Sequence, residues 1–118
     1  ISEVVKKCKN KNWLGLIVAC VSPEIIENSV EEVKKLNISF GYKANLWNVQ
    51  EPVPVHKFTS PRDKVGTNPV EAMGTRDDYT DIRFLEFSKK MISKGTTILG
   101  GCCETKPAHI KKISILKN

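Results

Sequence analysis

Two adjacent cysteines, Cys102 and Cys103, are the residues of this sequence best suited to chemistry. They follow an apolar run that ends in Gly100 and Gly101. Neighbouring residues of a regular strand point to opposite faces, so the two thiols can approach one point only if the backbone leaves the strand there. The glycines permit that departure because they adopt backbone angles closed to other residues. The pattern predicts a strand end that presents both thiols to one site.

A third ligand is needed to complete a metal site, because zinc takes three or four ligands in a tetrahedral arrangement. The best candidate is Cys20, which ends another apolar run, residues 13–20, just before a predicted helix. The carboxyl ends of parallel strands meet at one edge of an α/β sheet, where sites are commonly built. We therefore expect Cys20, Cys102 and Cys103 to converge. Cys8 precedes the first strand and is predicted to lie at the opposite edge.

The elements that must position these cysteines alternate between strand and helix. Apolar runs typical of strands in a parallel sheet cover residues 13–20, 38–45 and 96–99. One helix is predicted to begin with Ser22 as cap and Pro23 at its first position, a second at the Asp77-Asp78 pair, and a third at Pro107. This order predicts an α/β fold with right-handed crossovers between parallel strands.

Each predicted helix has one apolar face, which we expect to cover the sheet. The residues at helical spacing are Ile25, Ile26, Val30, Val33 and Leu36 in the first helix, Phe84, Phe87, Met91 and Ile92 in the second, and Ile110, Ile113 and Leu116 in the third. Residues 1–10 are predicted to be the end of a further helix. His109 lies in the first turn of the last helix and is left outside the predicted metal site.

Residues 46–76 contain most of the prolines and show little periodicity, which predicts a long loop. Long ordered loops are uncommon unless they are functional, so this one is either a lid at the carboxyl edge or a mobile linker. Trp47 is a candidate cover for the site. His56 is predicted to be a surface residue rather than a fourth ligand, and the sequence assigns no role to Asn45.

The composition of the 118-residue chain argues against two classes of partner. Its net charge is +6, but the lysines are scattered and form no block with interleaved aromatics, which favours a solvated surface over a nucleic-acid site. No apolar run approaches the roughly 20 residues needed to cross a membrane. The four cysteines accompany neither a signal peptide nor a loop-rich pattern, so a reducing, cytoplasmic setting is expected instead of a disulfide framework.

The sequence resembles the zinc-dependent homocysteine S-methyltransferases over nearly its whole length. The resemblance depends on Gly100, Gly101, Cys102, Cys103, Thr105, Pro107, His109 and Ile110, together with Cys20 and the Ser22-Pro23-Glu24 run that follows it. It implies that Cys20, Cys102 and Cys103 bind Zn²⁺. The chain departs from the family pattern at Ala19, where Asn is usual, and at Glu104, where Gly is usual.

The resemblance also implies a fold and a reaction. Residues 1–118 would form the carboxyl-terminal three strand–helix units of a (β/α)8 TIM barrel, as part of a homocysteine-binding domain. A complete barrel needs roughly 250 residues, so we expect a longer protein in which the rest of the barrel, or another chain, covers the bare sheet edges. The implied reaction transfers a methyl group from a small donor to the zinc-activated thiol of homocysteine and forms methionine.

Two non-catalytic alternatives are also compatible with the cysteines. Three protein ligands leave one zinc position open, which is typical of catalytic sites, whereas a fourth ligand such as His56 would make the site structural. Alternatively, Cys102 and Cys103 form a strained vicinal disulfide with a redox role. The metal content of the protein would separate these three interpretations.

Overall fold

The computed structural model describes residues 1–7, 12–48 and 73–117. Its helices are α1 (Ser2–Lys7), α2 (Pro23–Lys34), α3 (Asp81–Ser93) and α4 (Pro107–Ile113), and a short 3-10 helix follows at Ser114–Leu116. Its strands are β1 (Leu16–Ala19), β2 (Phe40–Ala44) and β3 (Ile98–Gly101). Cys8, His56 and most of the predicted loop lie outside the described residues.

The three strands form one parallel sheet in the order β1-β2-β3. The predicted α/β alternation of strands and helices is therefore confirmed. The predicted bounds of β3 are wrong, because the strand begins at Ile98 and includes both glycines. Gly100 pairs with Lys43 and Gly101 with Ala44, so the strand ends two residues later than the apolar pattern indicates.

One face of the sheet is covered by helices α2, α3 and α4. The buried core on this side consists of Ile26, Val30 and Val33 of α2, Tyr42 of β2, Phe84, Phe87 and Met91 of α3, and Ile113 of α4. Each large side chain fully buried there contributes about 1.5–3 kcal/mol relative to an exposed one. The Tyr42 ring meets that of Phe87 edge to face at 5.0 Å. The predicted helical faces are confirmed at these positions.

Two predicted core residues are exposed. Ile92 is 39% exposed because its neighbour Met91 takes the inward position on α3. Ile110 is 43% exposed, since His109 points inward in its place and packs its ring against Phe84 at 5.5 Å. Helical spacing predicted that both isoleucines are buried, and that prediction is wrong.

The helix starts are set by side-chain caps. Ser22 Oγ accepts from the Ile25 N–H at 3.4 Å and Pro23 opens α2, as predicted. The predicted start of α3 at residues 77–78 is wrong, because Thr80 is the cap and accepts from the Arg83 N–H at 3.2 Å. The acidic pair that suggested an earlier start lies in a turn before the helix.

The opposite face of the sheet is open in the described part of the chain. Tyr42 and Ala44 are fully buried on the helix side, so the alternate residues of the strands point the other way. This open sheet face consists of Ile17, Ala19, Gly41, Lys43, Ile98 and Gly100. Ile17 is 43% exposed there. No described helix is long and apolar enough to cross a membrane.

Candidate metal centre

Three thiols meet at the carboxyl edge of the sheet. The sulfur of Cys20 lies 2.9 Å from that of Cys102 and 3.7 Å from that of Cys103, and the latter two sulfurs are 4.0 Å apart. All three ligand atoms lie within 4.8 Å of one another, and among the described residues no other His, Cys, Asp or Glu joins them. The geometry brings together the residues predicted to converge. Their role as metal ligands stays a prediction.

Cys20 is held by the neighbouring strand β2. It directly follows β1 and adopts a left-handed backbone conformation with φ of 59°. Its N–H donates to the Lys43 carbonyl at 2.8 Å, and the Asn45 side-chain amide donates to the Cys20 carbonyl at 2.9 Å. A left-handed non-glycine residue costs about 1–2 kcal/mol, so these two hydrogen bonds fix a turn that the backbone does not prefer.

The double cysteine is held by the end of the same strand. The Cys102 N–H donates to the Ala44 carbonyl at 2.8 Å, and the Leu46 N–H donates to the Cys103 carbonyl at 2.9 Å. Thr105 closes the turn, because its hydroxyl lies 2.7 Å from the Cys102 carbonyl. The end of β2 therefore positions all three thiols.

Gly101 makes this turn possible. A Cβ atom at Gly101 would lie 2.4 Å from the Thr105 Cγ2 atom, which is closer than real side chains approach. Larger residues at position 101 would push Thr105 away from the carbonyls that it binds. The sequence indicated a need for glycine here, and the structure gives the reason as close packing rather than an unusual backbone angle.

The two described ends of the predicted 46–76 loop lie beside the thiols. Trp47 pairs with Thr75 in an isolated antiparallel bridge, and the Arg76 N–H donates to the Leu46 carbonyl at 2.9 Å. The Thr75 hydroxyl donates to the Glu104 carboxylate at 2.7 Å. Glu104 adopts a φ of 61° directly after the double cysteine. These contacts attach both ends of the segment to the site.

Arg76 anchors this segment to α2, a role that the sequence analysis missed. Its side chain is 4% exposed and forms ion pairs with Glu24 at 2.8 Å and Asp78 at 3.0 Å. Its guanidinium also lies over the Tyr79 ring, 4.7 Å from the centroid. The sequence offered one signal for this role, an arginine between polar and acidic residues in the Thr75–Asp78 run. It gave no indication of the partner Glu24, which is distant in sequence.

His109 has a structural role. It is 6% exposed, its Nδ1 accepts from the Lys106 N–H at 2.8 Å, and its Nε2 lies 3.0 Å from the Tyr79 carbonyl. The Nε2–H tautomer satisfies both contacts, since one nitrogen then accepts while the other donates. Both ring nitrogens are therefore engaged within the fold, away from the thiols.

The three thiols differ in acidity. Burial, together with the hydrogen bonds to the other two thiols, raises the pKa of Cys20 to about 12. Burial also raises the pKa of Cys103, together with the negative charge of Cys102. Burial opposes ionisation of Cys102 as well, but its hydrogen bonds with Cys20 and with the Cys103 backbone lower its pKa. Cys102 is therefore the first of the three to ionise.

The donor set fits zinc. Zinc–sulfur bonds of about 2.3 Å in a tetrahedron place the sulfurs about 3.8 Å apart. Two of the three separations, at 3.7 and 4.0 Å, already match, and the 2.9 Å separation of Cys20 and Cys102 would have to widen. Cys20 is exposed and the others are half-buried, so the cluster has an accessible side.

Comparison with known families agrees with the geometry. No curated protein matches the chain. The family model for homocysteine S-methyltransferase matches residues 1–116. Because that match extends over nearly the entire sequence, the chain belongs to the homocysteine S-methyltransferase family.

Proposed function

We propose that this chain contains the metal site of an enzyme that transfers a methyl group to the thiol of homocysteine and forms methionine. In this proposal Cys20, Cys102 and Cys103 hold Zn²⁺. The observation that supports it most strongly is the convergence of the three sulfurs within 4.8 Å at the carboxyl edge of the sheet. The family match supports homocysteine as the acceptor.

The chemistry proposed for the site begins with its ligands. When bound, zinc would supply the Lewis acidity that keeps an incoming thiol in its nucleophilic thiolate form. The lowered pKa of Cys102 favours the ionised ligand, and binding of a cation would displace the protons of Cys20 and Cys103. Asn45 and Thr105 hold the backbone carbonyls beside these ligands.

The proposed zinc site would keep one coordination position open, which favours catalysis over a structural role. The described residues supply three ligands at this point and no fourth. Structural zinc sites are almost always closed by four protein ligands, whereas catalytic sites keep one position for water or substrate. The redox alternative would require the Cys102 and Cys103 sulfurs, now 4.0 Å apart, to come within bonding distance.

The surrounding fold is proposed to be a (β/α)8 barrel, of which residues 1–118 form the last three strand–helix units. The open sheet face would then point to the barrel interior, and the free edges of β1 and β3 would pair with other strands. The rest of the barrel would bind the small methyl donor. A reducing, cytoplasmic setting would keep the three thiols available for the metal.

The test supplies homocysteine to the zinc-loaded full-length protein and measures methionine. The donors offered in turn are S-methylmethionine, S-adenosylmethionine, betaine, dimethylsulfoniopropionate and methyltetrahydrofolate. We expect one donor to be productive. Absence of methionine with every donor, together with an X-ray absorption spectrum that shows no new sulfur near zinc when homocysteine is added, would contradict the proposal.

The matched variants are single Cys→Ser changes. We expect Cys20→Ser, Cys102→Ser and Cys103→Ser each to lower metal affinity by more than about a hundredfold, because removing even an outer-shell partner typically costs 10–100-fold. Turnover should be nearly abolished. Cys8→Ser is the control and should retain both zinc and activity. A chelator competition assay measures the affinity independently of turnover.

A further inference from the structure

The open sheet face contains a single charged side chain among its described residues, that of Lys43. Its other members are Ile17, Ala19, Gly41, Ile98 and Gly100. Resting on the proposed function, we propose that Lys43 binds the carboxylate of the amino-acid thiol whose sulfur is methylated. This would make Lys43 a determinant of substrate specificity, at a position to which the sequence analysis gave no role.

The position of Lys43 follows from the sheet register. Ala19, Lys43 and Gly100 lie side by side in one row across the three strands. Cys20 comes directly after Ala19, so this row lies one residue, about 3.3 Å of strand, before Cys20. Lys43 is thus the central residue of the last paired row on the open sheet face before the chain reaches the cysteines.

The direction of the side chain is also fixed. Tyr42 and Ala44, its neighbours on β2, are fully buried on the helix side, so Lys43 points to the opposite face and is exposed there. A Cβ atom added at Gly100 would lie 3.3 Å from the Lys43 Cγ atom. The aliphatic stem therefore lies against Gly100, on the strand that leads to Cys102.

Lys43 lacks an acidic partner within the described residues. Some of the other described lysines form ion pairs, for example Lys90 and Lys94 with Glu27 and Lys112 with Asp81. In the part of the chain that the structure describes, no carboxylate lies within 4.0 Å of the Lys43 ammonium. A charged group that becomes enclosed needs a counter-ion, and an anionic substrate would supply it.

The chemistry of homocysteine matches this arrangement. A short carbon chain separates its thiol from its carboxylate, so a sulfur placed beside Cys20 and Cys102 leaves the carboxylate within reach of a lysine one row away. Lysine is a mobile point charge with three donors and a flexible stem, which suits a carboxylate that must approach together with the thiol. Gly100, which adjoins the lysine stem, adds no side chain of its own between Lys43 and the cysteines.

The test separates binding from turnover. Full-length protein loaded with Co²⁺, whose thiolate absorption reports sulfur ligation, is titrated with homocysteine and with 3-aminopropane-1-thiol, which lacks the carboxylate. We expect Lys43→Met to weaken homocysteine binding by about tenfold to a hundredfold, as loss of a charged hydrogen bond implies, and to leave the affinity for 3-aminopropane-1-thiol unchanged. Lys43→Arg should recover much of the homocysteine affinity.

The control variant is Lys89→Met, which removes one exposed lysine from the outer surface of α3 and should change neither affinity. Equal weakening of both thiols by Lys43→Met would show that the lysine acts on the sulfurs and would overturn the inference. Unchanged homocysteine affinity in Lys43→Met would also overturn the inference. If the melting temperature also fell, Lys43 would have a structural role, and if it did not, Lys43 would have no role in either property. Failure of the unmodified protein to bind either thiol would overturn the proposed function itself.

Discussion

The two faces of the sheet differ in almost every property that determines packing. The helix-covered face buries aromatic and aliphatic side chains, and two of its hydroxyls are paired: the Ser88 hydroxyl donates to the Phe84 carbonyl at 2.7 Å and accepts from Tyr42 at 2.6 Å. The open sheet face has glycines, an exposed isoleucine and a lysine. The helix-covered face is a packed hydrophobic core. Among the described residues the second face retains space and a charge, as the proposed substrate binding and barrel closure require.

The largest effect on stability should come from the covered face. Phe84 is fully buried and contacts the rings of Tyr42, Tyr79, Phe87 and His109. We expect Phe84→Ala to lower the free energy of unfolding by about 3–5 kcal/mol, because it removes apolar contact and leaves a cavity. Denaturant titration of the full-length protein measures the change.

The matched control on the same helix is Ile82→Ala. Ile82 is 56% exposed, so its truncation should change the unfolding free energy by no more than about 0.5 kcal/mol. If both variants lose equal stability, α3 does not pack with the face described here.

The next prediction concerns the open sheet face. Ile17 is 43% exposed in this structure, and a surface isoleucine of that kind contributes little to stability. If other strands close the proposed barrel, Ile17 becomes an interior residue. We then expect Ile17→Ala to lower the unfolding free energy of the full-length protein by about 2–3 kcal/mol. A loss below about 0.5 kcal/mol would contradict closure over this face.

Local sequence patterns predicted most of the covered face and the convergence of thiols. Apolar spacing gave the inward residues of α2, and Ser22 with Pro23 gave its start, because caps and helical periodicity are local properties. The convergence of Cys20 with the double cysteine followed from the geometry of parallel strands. These predictions needed no knowledge of distant contacts.

The remaining features depend on contacts between residues far apart in the sequence. The acidic residues before α3 suggested an early helix start, but Asp78 is held by Arg76, which also binds Glu24 on α2. The bond from Asn45 to the Cys20 carbonyl and the position of Lys43 on the open sheet face likewise require the strand register. Composition and spacing contain no signal for such pairings.

The smallest predicted effect concerns Asn45, which lies at the carboxyl edge of the sheet, where the two faces end. This residue is 5% exposed, and its amide donates to the Cys20 carbonyl at 2.9 Å. Asn45→Ala should leave that carbonyl unpaired and loosen the left-handed turn. The backbone bonds from the Cys20 N–H to the Lys43 carbonyl and from the Asn45 N–H to the Val21 carbonyl would remain, so the effect should be modest. We expect metal affinity to fall about tenfold, as for other residues that orient metal ligands, with the three thiols still present.

Chelator competition measures the affinity. The control for loss of an ordinary hydrogen bond is Ser29→Ala, which removes a hydroxyl bonded to the Ile26 carbonyl on α2. Equal metal affinities for Asn45→Ala and Ser29→Ala would show that the Cys20 turn is fixed without the amide.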